Sequence, residues 1–130
     1  MRNIEKVKDF FIKDRFAMVT TGIEIVAVDD GYAKCSLKID ERHVNATGQV
    51  MGGAIYTLAD FVFAVATNTE DSITVTAVSQ ISYLGPVKGD TLIAETKLLK
   101  NGKRNCFYEI DITDNLGNPV AVVTTNGVHL

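Results

Sequence analysis

The chain has 130 residues, the usual size of one domain, so we expect a single domain over residues 1–130. It carries 13 Lys and Arg residues against 16 Asp and Glu residues, a net charge of -3. This charge gives no positive field that would attract nucleic acid or an anionic membrane, and neither partner is expected.

The same features predict a cytoplasmic protein. The N-terminal residues are charged throughout and lack the apolar run of a secretory signal. The longest apolar stretch, residues 50–67, is interrupted by Asp60 and is shorter than the ~20 apolar residues of a membrane-spanning helix. Cys35 and Cys106 are far apart in sequence and outside any CxxC motif, which favours reduced, buried thiols.

The predicted elements begin with an amphipathic helix over the first 16 residues, followed by a hairpin formed by residues 23–28 and 32–39. A polar connector, residues 40–50, leads to a long helix that starts near the glycine pair Gly52-Gly53. This helix is apolar on almost every side, so we expect protein to surround it. Strand patterns then follow at residues 73–84, 91–100, 104–113 and 120–128, and the last strands form a meander. Asn101-Gly102 predicts a tight hairpin in which both turn residues have positive φ.

These elements indicate an α+β fold in which a curved antiparallel sheet of about five strands wraps round one central helix. The outer face of the sheet and its edge strands stay exposed in a lone chain. We therefore expect homo-oligomers that cover them.

Asp60 is the first candidate functional residue, because it is the one charged side chain in the apolar helix. An ionised carboxylate without a partner is costly to desolvate, and burial raises its pKa toward the range of a general base. The alternative is a structural carboxylate at a polar edge of the helix.

Gly52 and Gly53 are the second feature, at the expected start of the helix. Backbone N–H groups there have no partner within the helix and favour negative charge, as an oxyanion hole requires. A close approach between helix and sheet explains the glycines equally well. Gly52 and Asp60 lie about 12 Å apart along a helix axis, too far to touch one carbonyl. If both serve one substrate, they come from different subunits.

The string from His43 to Asp60 resembles the signature of hotdog-fold acyl-CoA thioesterases of the phenylacetyl-CoA thioesterase (PaaI-like) type. The matching positions are Asn45, Gly48, Gly52-Gly53 and Leu58-Ala59-Asp60. The resemblance extends to the order of the elements, including the strand that ends at Gly85-Pro86 and the Asn101-Gly102 hairpin.

This resemblance implies a hotdog fold and the hydrolysis of an acyl-CoA or aryl-CoA thioester without a metal or other cofactor. Asp60 is then the catalytic base or nucleophile, and Gly52 is the oxyanion donor with Gly53 beside it. Asn45 holds the carbonyl or the water, and Thr76 assists near Asp60. Family members form dimers, and commonly dimers of dimers, which implies a homodimer or homotetramer with the active site at the dimer interface.

Lys103 and Arg104 belong to a basic hairpin whose charges, taken alone, are explained as solvated edge protection. The family resemblance implies a CoA ligand, and these two residues are then the expected partners of its phosphates. His43, a lone histidine in the connector, is interpreted as exposed polar surface. No His and Cys positions have the spacing of metal ligands, so no metal is expected.

One position departs from the family pattern, since Met51 replaces the histidine before the glycine pair. The backbone donor at Gly52 survives this change. Two alternatives remain open: a hotdog-type enoyl thioester hydratase or dehydratase, which generally needs a histidine base, and a non-catalytic acyl-CoA binding protein.

Overall fold

The computed structural model describes residues 2–130, and Met1, with which the predicted helix and domain begin, lies outside them. Two α-helices, a π-helical turn, a 3-10 turn and six strands follow one another along the chain. Their bounds are α1 Ile4–Phe11, the π-helical turn Phe16–Thr21, β1 Glu24–Asp29, β2 Tyr32–Lys38, the 3-10 turn Glu41–His43, α2 Gly52–Thr67, β3 Thr74–Tyr83, β4 Thr91–Asn101, β5 Asn105–Asp114 and β6 Pro119–His129.

All six strands form one antiparallel sheet in the order β1-β2-β4-β5-β6-β3, one strand more than the sequence indicated. β4, β5 and β6 make the predicted meander. β3 crosses over to pair with β6, so that β1 and β3 are the two edges. The hotdog architecture, with a sheet, a central helix and an N-terminal helix, is confirmed.

The N-terminal helix is shorter than expected. Asn3 caps it by accepting hydrogen bonds from the backbone N–H groups of Glu5 and Lys6, and α1 ends at Phe11. The Phe11 ring packs edge-on against Phe61 of α2, with 5.6 Å between ring centroids. Residues 12–15 then turn into the π-helical segment, so the chain folds back across α2.

α2 packs on the sheet through a fully apolar face that includes Leu58, Phe61, Val62 and Val65. The expectation that protein surrounds this helix is wrong in a single chain, because one stripe stays open. Gly53 and Asp60 are exposed there, and Tyr56, Thr57 and Ala64 are half-buried. A single sheet covers one side of the helix, and Phe11 of α1 together with the π-helical turn covers a second, which leaves this third side free.

The β4–β5 hairpin forms where predicted but with a different turn. Neither Asn101 nor Gly102 has a positive φ, so the expected Asn-Gly turn geometry is wrong. β4 continues through Asn101, β5 begins at Asn105, and the Gly102 N–H donates to the Asn105 carbonyl at 2.8 Å. The reversal therefore places Lys103 and Arg104 at the tip.

Asp114 anchors the loop between β3 and β4. Its buried carboxylate accepts backbone hydrogen bonds from Lys88 and Gly89 on one oxygen and from Leu116 and Asn118 on the other. Although desolvation acts to raise the Asp114 pKa, these donors outweigh it and hold the pKa well below its usual range.

The Asp114→Asn substitution should lower the melting temperature at neutral pH, because an amide nitrogen cannot accept the hydrogen bonds that an oxygen accepts there. A depressed carboxyl pKa stabilises the fold above the unfolded pKa, and this contribution disappears as pH falls through the folded pKa. Thermal melts from neutral pH down to about pH 2 should therefore show wild type and variant converging in acid. A constant gap between the two curves would contradict this account.

Candidate active site

The N-terminus of α2 presents backbone donors that no side chain within residues 2–130 caps by a hydrogen bond. Met51 is the N-cap residue, with φ -64° and ψ 133°, and its thioether makes no capping hydrogen bond to residues 2–130. The N–H groups of Gly52 and Gly53 precede the first hydrogen-bonded turn and so lack a partner within the helix. The helix dipole adds positive potential at this end, which suits an oxyanion.

Tyr83, at the end of β3, fixes the position of Gly52. The Tyr83 hydroxyl donates to the Gly52 carbonyl at 2.8 Å. A Cβ on Gly52 would lie 2.9 Å from the Tyr83 hydroxyl oxygen. The close approach that was offered as an explanation of the glycine is therefore present, while the oxyanion role of its N–H stays a prediction. No local pattern predicts this role of Tyr83, because the contact joins residues 31 positions apart.

Asn45 sits on a tight loop just before α2. Its amide oxygen accepts hydrogen bonds from the Thr47 N–H at 3.0 Å, the Thr47 hydroxyl at 2.8 Å and the Gln49 N–H at 3.1 Å. These three donors occupy the oxygen, so the end of the side chain left for a ligand is the NH₂ group. A donor of this kind fits a thioester carbonyl better than it fits the protons of an attacking water.

His43 is buried, with 3% of its surface exposed, so the interpretation of an exposed loop histidine is wrong. Its Nδ1 accepts from the Asp40 N–H at 3.0 Å, which leaves Nε2 to carry the proton and donate to the Thr21 carbonyl at 2.7 Å. The neighbouring Arg42 donates to the Thr20 carbonyl at 2.8 Å. Both side chains thus tie the connector that carries Asn45 to the π-helical turn.

Asp60 lies in the middle of the open stripe of α2. Although Asp60 is exposed on the open side of the stripe, the protein around it still desolvates its carboxyl group and raises the pKa, and the negative charge of Asp14 raises it further. Asp14 belongs to the turn after α1, which passes α2 where Phe11 meets Phe61. A carboxyl group whose pKa is raised is suited to accept a proton near neutral pH. The pattern of the sequence did not suggest Asp14.

Thr76 lies beside the half of α2 that carries Asp60. A Cβ on Gly127 would lie 2.7 Å from the Phe63 ring, so β6 packs directly on α2 there. Thr76 is the cross-strand partner of Gly127 and shares its face of the sheet. Phe63 is one helical turn from Asp60.

The predicted site residues therefore form two groups within one chain. Gly52, Gly53 and Asn45 lie at the N-terminal end of α2, whereas Asp60 and Thr76 lie toward its other half. A cleft of about 270 Å³ opens beside the first group. Val50, Ile55, Tyr83, Pro86 and Val87 provide most of its lining. Phe61 and Phe63 are each 2% exposed and belong to the core.

Lys103 and Arg104 are both exposed at the tip of the β4–β5 hairpin. This tip lies at the same end of the sheet as Thr76, since Asn105 pairs with Val128 and Thr76 with Gly127.

Across residues 2–130, no three His, Cys, Asp or Glu side chains are grouped so that they could hold a metal ion. In the same part of the chain, no helix is long and apolar enough to cross a membrane.

Comparison with known proteins decides the family. The thioesterase superfamily model matches residues 47–121, which include Gly52, Asp60 and Thr76. The chain belongs to the thioesterase superfamily. It is thus an enzyme of the hydrolase class, and the sequence resemblance to PaaI-like hotdog proteins is confirmed.

Individual thioesterases agree with this assignment. The acyl-coenzyme A thioesterase PaaI of Escherichia coli is 31% identical over 102 residues, which cover 78% of this chain and 73% of that protein. Human acyl-coenzyme A thioesterase 13 is 29% identical over 129 residues, covering 97% and 92% of the two chains. The solved structure of the Escherichia coli PaaI protein superposes with a TM-score of 0.87 at 25% identity, covering 97% and 94%.

A thioesterase from Streptococcus pneumoniae, solved with coenzyme A, has a TM-score of 0.83 at 24% identity and covers 92% of this chain and 96% of its own. At this identity the likeness concerns the fold alone.

Proposed function

We propose that this thioesterase hydrolyses an acyl-CoA or aryl-CoA to the free acid and CoA, in a site completed by two copies of the chain. The observation that carries the proposal is an uncapped glycine N-terminus and an aspartate with a raised pKa on the same helix. The names of the relatives support the substrate class, since two of those compared are acyl-coenzyme A thioesterases.

The reaction needs a charge acceptor at the carbonyl and a proton acceptor at the nucleophile. As water attacks the thioester carbon, Asp60 takes the proton that water loses, and negative charge develops on the carbonyl oxygen. The Gly52 N–H stabilises that oxygen, aided by the Asn45 NH₂ group, with Gly53 beside them. The carbon–sulfur bond then breaks, and CoA leaves as a thiolate that takes up a proton. Direct attack by Asp60 through a mixed anhydride is the second route, and Thr76 assists near Asp60 in either route.

Two chains are required because Gly52 and Asp60 are separated by about 12 Å along one helix, whereas reacting groups must approach to about 3 Å. Two features support a second copy as the missing half. On the open stripe of α2, Thr57 and Ala64 next to Asp60 are small, which permits the close approach of another helix there. The edge strand β3 exposes Val75 and Val78, at 43% and 65%, beside unpaired backbone groups.

The CoA phosphates are assigned to Lys103 and Arg104. Both lie at a hairpin tip at the Thr76 end of the sheet, so the nucleotide extends away from the scissile bond on the side of the subunit that provides Asp60. A thioesterase of the same fold, from Streptococcus pneumoniae, was solved with coenzyme A, which supports CoA as the ligand.

A panel of acyl-CoA substrates, with thiol release followed by a chromogenic disulfide, tests the proposed function. We expect turnover that depends on Asp60, with preference for an apolar acyl or aryl group, because the cleft beside Gly52 is lined mainly by apolar side chains. Tight CoA binding without thiol release would favour the non-catalytic protein. A change in double-bond absorbance without free thiol would favour the hydratase or dehydratase.

The Asp14→Asn substitution should shift the acid limb of the pH–rate profile to lower pH. Asp60 must be ionised to act, so activity falls as pH drops through its pKa. Removing the charge of Asp14 removes one cause of the raised pKa and lowers it. The kcat/KM profile should move while the plateau stays within about twofold. An unchanged acid limb would show that Asp14 does not act on Asp60. The matched control is Asp9→Asn, which removes an exposed carboxylate on α1.

A further inference from the structure

His129, near the end of the chain, joins three strands of the sheet through its side chain. Its Nδ1 lies 2.8 Å from the Thr74 hydroxyl on β3, and its Nε2 lies 2.9 Å from the Asn101 amide oxygen at the end of β4. The His129 backbone N–H also donates to the Arg104 carbonyl at 2.8 Å. The residue therefore touches the β4–β5 hairpin at both ends of its tip.

The chemistry of these contacts fixes the role of each ring nitrogen. An amide oxygen can only accept, so Nε2 carries a proton and donates it to Asn101. In the neutral ring, Nδ1 then accepts from the Thr74 hydroxyl. The bond to Asn101 is the one through which the imidazole acts on the hairpin.

Thr74 extends this chain of contacts to α2. Its N–H donates to the Asn68 amide oxygen at 2.8 Å. Asn68 in turn donates to the Ala64 carbonyl at 3.0 Å. A continuous series of hydrogen bonds thus runs from the end of the helix that carries Asp60, through Thr74 and His129, to the hairpin tip.

We infer that His129 is a positioning residue for CoA, which holds the Lys103–Arg104 tip at a fixed place relative to the helix that carries Asp60. This inference rests on the proposed function. Lys103 and Arg104 are exposed and long, so an anchored backbone beneath them reduces the conformational freedom lost when they bind phosphate. In this role His129 acts through the hairpin and needs no contact with the substrate or the reacting atoms.

A matched pair of substitutions separates the two ends of the imidazole. In His129→Gln the amide nitrogen occupies the place of Nε2 and retains the hydrogen bond to Asn101. In His129→Asn the shorter amide reaches only the place of Nδ1, so the contact with Asn101 is lost. A matched pair of substrates completes the design: one acyl group is carried on CoA and on N-acetylcysteamine, which has the thioester but no phosphates.

We expect His129→Asn to raise KM for the acyl-CoA about three- to tenfold, the equivalent of one lost hydrogen bond, with kcat unchanged. Its KM for the N-acetylcysteamine thioester should not change, and His129→Gln should behave as wild type with both substrates. Asn101→Ala removes the same bond from the exposed hairpin side and should give the same increase. The double variant His129→Asn/Asn101→Ala should have the same KM for the acyl-CoA as either single variant, because both substitutions remove the same hydrogen bond.

An equal rise in KM for both substrates, or no rise in any variant, overturns the inference while the proposed function stands. If wild type hydrolyses neither thioester, the proposed function fails, and calorimetry with free CoA then tests the inference. Weaker CoA binding by His129→Asn but not by His129→Gln supports the positioning role. Equal binding by the two variants overturns it.

Discussion

Asp60→Asn should abolish most of the thioesterase activity while leaving the fold intact. General-base catalysis contributes about 10²–10⁴-fold, so kcat/KM for the best acyl-CoA should fall by that amount. The amide has nearly the shape of the carboxylate, and Asp60 occupies the open stripe of α2, so packing is preserved. Thiol release under steady-state conditions measures the loss.

The same substitution should slightly increase stability, which separates a catalytic from a structural carboxylate. The folded-state pKa of Asp60 is raised, so the folded protein holds the proton more tightly and loses stability as pH rises through that pKa. At pH values above the folded-state pKa, the ionised carboxylate lowers the free energy of unfolding, whereas the uncharged amide does not. We expect a melting temperature at or above that of wild type at neutral pH. A marked drop together with full activity would assign Asp60 a structural role.

Gly52→Pro should be the second severe lesion, because it removes the N–H that stabilises the oxyanion. Loss of one such donor costs about 10²–10³-fold in kcat. Proline is tolerated at the first helical position, and the Met51 conformation, φ -64° and ψ 133°, is one that a residue before proline prefers. The helix should therefore still form.

Gly52→Ala is the control, because it adds the same Cβ next to the Tyr83 hydroxyl and keeps the N–H. The crowding by Cβ is shared by both variants, so the ratio of their kcat values reports the replacement of the N–H by the proline ring. Equal activity in the two variants would remove Gly52 from the oxyanion role. Circular dichroism and melting temperatures confirm that both remain folded.

Much of the fold follows from local patterns. Period-2 alternation located β2, strand-forming residues between turn signals located the other strands, and the apolar run located α2, because these signals depend on near neighbours. The open stripe of α2 was not predictable from hydrophobicity alone, since Tyr56, Thr57 and Ala64 are compatible with either burial or exposure. The turn at Asn101-Gly102 differed because the strand continues through Asn101, whose side chain bonds to His129.

The site divides in the same way. Asp60 stood out as a charge in an apolar helix, and the glycine pair coincides with the start of that helix, so both are visible in one segment. Tyr83, Asp14 and His129 act through contacts between distant parts of the chain and carry no local signal. The burial of His43 was missed for the same reason, because it depends on the Thr21 carbonyl, in a segment 22 residues away.

The most direct test of the shared active site is to combine two inactive chains. In a mixed dimer of Asp60→Asn and Gly52→Pro chains, one site receives the intact Gly52 of the first chain and the intact Asp60 of the second. Random pairing restores about one quarter of all sites, so the co-expressed mixture should recover about one quarter of wild-type thiol release. If Gly52 and Asp60 of the same chain served one substrate, the mixture would remain as inactive as its two parents.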